Sequence, residues 1–128
     1  LLKAAEEYKT ELENIPHNFK ASFNLSRVYR LLNREGDELQ YLKMTIEIAP
    51  RFPLSYFYLG RIYLNRGQNF EEAVSLVKKG IDLKPDKKDL PLGYFLLADL
   101  YNRLGNDSLS AEYAKKGQEL VQANSRNR

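Results

Sequence analysis

Three short segments of this 128-residue chain are near copies of one another. They read Phe23-x-Leu25-Ser26-x-x-Tyr29, Phe57-x-Leu59-Gly60-x-x-Tyr63 and Phe95-x-Leu97-Ala98-x-x-Tyr101. A self-similar period near 34 residues restricts the fold severely, because each unit is one supersecondary element that cannot bury its apolar face alone. Leu25 and Leu59 lie 34 residues apart, as do Pro16 and Pro50, whereas Leu59 and Leu97 lie 38 apart. The surplus falls in loops, one residue in the Gly67–Asn69 turn and three in Asp86-Lys-Lys-Asp-Leu-Pro91. Insertions confined to loops leave a stack of elements intact.

Punctuation sets the elements. Pro16, Pro50 and Pro85 each close an amphipathic stretch, since proline cannot continue a helix. Pro53 and Pro91 sit where first-turn prolines open one. Gly36, Gly67 and Gly105 are expected at the tight turns between helices, and Asn69-x-x-Glu72 reads as a capping pair. The spacing predicts seven helices, at about 1–14, 19–33, 37–48, 53–66, 70–83, 91–104 and 108–122. Leu25, Tyr29 and Leu32 form a core stripe, repeated by Leu97, Tyr101 and Leu104. Small residues recur at matched places: Ser26, Gly60 and Ala98 on first helices, Thr45, Gly80 and Gly117 on second ones. They let paired helices approach closely.

These residues resemble the tetratricopeptide repeat family, whose helix–turn–helix unit places an aromatic, Leu-Gly and Tyr on its first helix and Ala, a large apolar residue and Pro on its second. Tyr56-x-x-Leu59-Gly60-x-x-Tyr63, Ala73-x-x-x-Val77 and Pro85 fit best. The third copy reads Tyr94-x-x-Leu97-Ala98-x-x-Tyr101 and Ser110-x-x-x-Ala114; in the first, Ser22 and Glu38 depart from the pattern. Ala4-x-x-x-Tyr8 and Pro16 match the second half of a repeat whose first helix is missing. The resemblance implies an all-α, right-handed superhelical solenoid of antiparallel helix pairs. Its expected divisions are 1–18 (a half repeat), 19–52, 53–87 and 88–123 (three repeats), and 124–128 (a disordered polar tail).

In that family the first helices line a concave face, and at ~100° per residue that face can be assigned by angle. Phe23, Arg27 and Arg30 share one stripe, Phe57, Arg61 and Leu64 the next, and Phe95, Asp99 and Asn102 the third. Lys20, Leu54 and Leu92 extend it by a turn. The candidate groove is therefore Phe23, Arg27, Arg30, Phe57, Arg61, Phe95, Asp99 and Asn102. The repeated Phe points away from its own Leu and Tyr, which leaves two uses for it: contact with a ligand, or stiffening of the superhelix against neighbouring first helices. Aromatic and Arg side chains are those most often found as interface hot spots. The implied ligand is a peptide or helical segment with spaced apolar residues and one or two acidic groups, bound at about micromolar affinity. Family members that hold chaperone C-terminal tails do so with a two-carboxylate clamp. Its places here carry Phe23, Arg27, Tyr58, Leu92 and Leu96, of which one is basic, so that ligand is argued against.

Catalysis finds no footing in the residues. With no cysteine and a lone His17 in a loop, neither a metal site nor a nucleophilic triad can be built, and no glycine loop cradles a phosphate, so no cofactor is expected. Net charge is +3, with 17 acidic residues interleaved among 20 basic ones. That balance, together with Asp99, argues against a nucleic-acid groove. Apolar runs are far short of a ~20-residue membrane span. The compartment stays open. The main expectation is an interaction module of a larger protein. The alternative is a self-associating element: Ala5, Tyr8 and Leu12 line one face of the opening helix, whose other side lacks a covering helix, and that edge suits a homodimer. The polar outer side of the last helix suits a terminal cap.

Overall fold

A computed structural model describes residues 1–126, and every element found among them is an α-helix. The chain divides into two compact units, Leu1–Arg51 and Phe52 onward. The first holds α1 (Leu2–Asn14), α2 (Phe19–Leu31) and α3 (Glu35–Ile48); the second holds α4 (Pro53–Arg66), α5 (Phe70–Asp82), α6 (Leu90–Arg103) and α7 (Asp107–Arg126). Short connections pair α2 with α3, α4 with α5 and α6 with α7 as antiparallel hairpins.

Local chemistry explains the boundaries. Asn18 caps α2 by accepting the Ala21 N–H at 3.1 Å, and Asn106 does the same for Leu109 at the start of α7. Pro53 and Pro91 occupy first turns. Asp37 of α3 and Glu71 and Glu72 of α5 place negative charge on helix N-termini. Each first helix ends in the same doubly bonded turn. The carbonyls of Tyr29, Tyr63 and Tyr101 accept from Arg34, Gln68 and Asn106, while Asn33, Gly67 and Gly105 donate to residues three back.

That turn corrects one expectation. The left-handed position is filled by Asn33 (φ 57°), Gly67 (φ 70°) and Gly105 (φ 79°), each eight residues after the repeat's Leu. Gly36 instead lies inside the first turn of α3. Asn69 does not cap α5 through its side chain either: it is left-handed at φ 55° and makes no side-chain cap bond, so the Asn69–Glu72 pairing does not form. Residues 124–126, expected in a disordered tail, continue α7. Asn124 explains why, since its Nδ2 donates to the Lys87 carbonyl at 2.9 Å. Asn127 and Arg128 of that expected tail lie outside the described residues.

The core of the first unit joins Ala5 of α1 to Leu25, Val28 and Tyr29 of α2, with Tyr8, Leu12 and Tyr41 packed around them. Tyr8 and Leu12 are thus half-buried against this core. Buried hydroxyls tie α2 to α3, with Ser22 Oγ and Thr45 Oγ1 2.7 Å apart. Each also lies within bonding distance of a carbonyl on its own helix, Phe19 at 2.9 Å and Tyr41 at 2.7 Å. Two protons serve these three contacts, so one hydroxyl donates across the pair and the other donates to its carbonyl. The core of the second unit gathers Phe57 and Leu64 of α4, Ala73, Val74 and Val77 of α5, and Leu96, Leu97 and Leu100 of α6. Among the described residues no helix is long and apolar enough to cross a membrane.

Candidate functional site

The eight residues assigned to the groove separate by burial. Phe57 has no exposed surface and Phe23 is 7% exposed. Phe95, Arg30 and Arg61 are half-buried, whereas Arg27, Asp99 and Asn102 are exposed. Leu64 lies in the core, and Leu54 and Leu92 pack against it.

The burial of Phe57 has a definite cause. Its ring wedges between two glycines: a Cβ on Gly80 would fall 2.7 Å from Phe57 Cε1, and one on Gly93 would fall 2.7 Å from Cζ. Gly117 stands to Phe95 as Gly80 does to Phe57, with 2.7 Å to Phe95 Cε1. In the second and third repeats the aromatic of the first helix thus fills the notch left by a glycine on the second helix, whereas Thr45 stands at that place in the first repeat. Angle alone had set the Phe apart from its own helix's core stripe. The glycine notch and the following first helix close over that flank, so Phe57 is core and offers no ring to a ligand. Burying it contributes roughly 1.5–3 kcal/mol.

What stays accessible on the first-helix face is mostly charged or polar. Arg27 and Arg30 lie a turn apart on α2. In the second unit, Arg61 of α4 and Asp99 and Asn102 of α6 belong to helices in contact with each other. The Arg61 guanidinium stacks over the Tyr58 ring, its Cζ 4.7 Å from the centroid, which fixes its direction. His17 is exposed in the α1–α2 connection. No group of His, Cys, Asp and Glu among the described residues could hold a metal ion.

A second set of polar side chains lies on the other helices. The repeat tyrosines, assigned wholly to the core, are also platforms. Tyr29 stacks on Tyr41 at 5.6 Å and 12°, and Tyr101 on Tyr113 at 5.7 Å and 6°. Lys9 and Lys78 each place Nζ 5.6 Å from the centroid of the repeat tyrosine, Tyr29 or Tyr101. Hydrogen bonding to Tyr29 holds the Lys9 ammonium above its ordinary 10.5, and Tyr101 does the same for Lys78. A sequence signal existed: Lys9, Lys43 and Lys78 each stand seven residues before Pro16, Pro50 or Pro85.

Repeated helical hairpins, two of them sharing an aromatic–glycine notch, define a helical-repeat protein. Residues 41–74 match the tetratricopeptide repeat, and the chain has the tetratricopeptide repeat fold. Among solved structures it is similar to the MamA protein, at 18% identity and TM-score 0.76, covering 95% of this chain and 64% of that one. BtubC (BKLC) from P. vanneervenii aligns at 16% identity and TM-score 0.78, covering 94% and 56%. A further structure, MamA MSR-1 C2, aligns at 23% identity and TM-score 0.70, covering 94% and 67%. The chain thus spans 64% and 56% of the length of the first two. None of the curated proteins matches it in sequence. Tetratricopeptide repeats are generally protein-interaction scaffolds without enzymatic activity.

Proposed function

We propose that this chain is a non-catalytic interaction module that binds a peptide or helical segment of a partner protein along its first-helix face. The observation that carries this reading is the exposure of Arg27 on α2, beside buried Phe23, and of Asp99 and Asn102 on α6, beside half-buried Phe95. The side chains of the three make no hydrogen bond or ion pair among the described residues, which leaves their polar groups open to a ligand. On each unit recognition rests on its own charged and polar groups: Arg27 and Arg30 on α2 of the first, and Arg61, Asp99 and Asn102 on α4 and α6 of the second. Half-buried Phe95 supplies an aromatic edge. The ligand carries acidic groups to meet Arg27 and Arg30, flanked by apolar residues. Affinity in the micromolar range is expected, because charged rim contacts contribute modestly and association itself costs several kcal/mol.

Peptide-array binding with the wild-type chain and with Arg27→Glu and Asp99→Lys tests this reading. Loss or exchange of hits in both variants, with unfolding curves unchanged, supports it. If neither variant alters any hit, the first-helix face is not the binding surface.

A further inference from the structure

Each unit contains the same cleft between its second helices, floored by the first helix that lies between them in sequence. In the first unit α1 and α3 form the walls of a cleft of about 410 Å³. In the second, α5 and α7 form one of about 290 Å³. The leading walls match position for position: Lys9, Leu12 and Glu13 stand seven, four and three residues before Pro16, as Lys78, Ile81 and Asp82 do before Pro85. The opposite walls match too, with Tyr41 and Tyr113 stacked on the tyrosine beneath. In the intervening repeat Leu76 takes the place of this second tyrosine, so the tyrosine pair is a property of two repeats and not of the fold at large.

One difference gives the second cleft its character. Three residues beyond Tyr41 stands Met44, whereas three beyond Tyr113 stands Lys116. The Lys116 Nζ rests 5.2 Å over the Tyr113 ring and 5.9 Å over Tyr94, which itself stacks on Tyr113 at 6.0 Å. Two ammonium groups, Lys78 and Lys116, therefore flank a tyrosine ladder, opposed by the single carboxylate of Asp82. Both are already parked on aromatic faces. A lysine free in solvent loses much rotamer entropy when it pairs with a ligand, and here the fold has met part of that cost. The hydrogen bond to Tyr101 holds the Lys78 ammonium above its ordinary 10.5. Between the two cations Ile81 gives the cleft an apolar wall, with buried Leu97 behind it.

We infer that the α5–α7 cleft is a docking site, separate from the first-helix face, for an acidic peptide segment carrying an apolar or aromatic anchor. Carboxylates of the segment pair with Lys78 and Lys116, and the anchor lies against Ile81, Tyr94 and Tyr113. The α1–α3 cleft, with Met44 in place of the second cation, takes the same segment more weakly. Asp82 and the confinement of the positive charge to two side chains disfavour a polynucleotide here.

The test is a 15N NMR titration of the full chain with acetyl-Glu-Leu-Phe-Glu-amide, using acetyl-Lys-Leu-Phe-Lys-amide and a single-stranded oligonucleotide as comparators. Saturable shifts are expected for amides around Lys78, Tyr113 and Lys116, with a Kd on the order of 1 mM for so short a probe. Lys116→Glu is expected to weaken the acidic peptide about five-fold and to admit the lysine peptide. Shifts confined to α4 and the exposed face of α6, equal response to the oligonucleotide, no saturable response, or indifference to Lys116→Glu would each overturn the assignment. None of these results bears on the array outcome for Arg27 and Asp99.

Discussion

Replacing Gly80 by alanine is expected to change sign according to what stands at position 57. In the native chain the new methyl would fall 2.7 Å and 2.9 Å from two atoms of the Phe57 ring. The ring has little room to retreat, because Gly93 also packs close to it: a Cβ there would fall 2.7 Å from Phe57 Cζ. Overpacking of this kind costs about 1–3 kcal/mol, while alanine in place of a helical glycine returns about 1 kcal/mol. Gly80→Ala alone should therefore be neutral to destabilising by about 2 kcal/mol. Phe57→Ala alone should cost about 3–5 kcal/mol, as for other large buried aromatics. With the ring gone only the Pro53 carbonyl oxygen stays close, at 3.1 Å, and Gly80→Ala in that background should be neutral to stabilising by up to about 1 kcal/mol. Urea unfolding followed by circular dichroism gives all four corners of the cycle, and the coupling should reach about 1–3 kcal/mol. Should the two substitutions be additive, or Phe57→Ala cost under about 1 kcal/mol, Phe57 is not the wedge described here.

Other consequences are narrower. Gly67 is left-handed with open space around its Cα, so Gly67→Ala should destabilise through the backbone alone, by about 1–2 kcal/mol in the same unfolding assay. Asn124→Ala should fray the end of α7, seen as faster amide exchange over 118–126, with a loss of about 0.5–1.5 kcal/mol. Lys9 and Lys78 should titrate above the ordinary 10.5 in lysine 13Cε NMR. Because their folded values are raised, the stability they contribute is fully present below that value and is lost as pH rises through the folded one. Tyr101→Phe should return Lys78 toward 10.5 while leaving Lys9 unmoved.

The helices were legible in the sequence because prolines, loop lengths and the Leu–Tyr spacing all point to the same boundaries. Gly36 is a false signal because the turn follows register and not glycine identity: it recurs eight residues after Leu, and Asn33 tolerates the left-handed geometry there. The Phe was harder. A helical wheel describes one helix, whereas the hiding place of Phe57 is made by glycines on two others, Gly80 and Gly93. Nothing within α4 reveals that notch. The tyrosine platforms were half visible, since Lys9, Lys43 and Lys78 keep a fixed distance to proline. Tyr41 and Tyr113, however, acquire meaning only once stacked on Tyr29 and Tyr101. The continuation of α7 was out of reach for a similar reason, because the carbonyl that holds Asn124 lies 37 residues away.

The proposed division of labour, with Phe57 serving the fold and exposed charge serving recognition, is tested most directly by the affinity of one array-selected peptide for two variants. Fluorescence anisotropy should show Arg27→Glu weakening the complex five-fold or more, which is about 1 kcal/mol. Phe57→Leu should lower stability yet leave the affinity within about two-fold, a small fraction of the binding free energy. The reverse pattern, binding lost with Phe57→Leu and kept with Arg27→Glu, would contradict it.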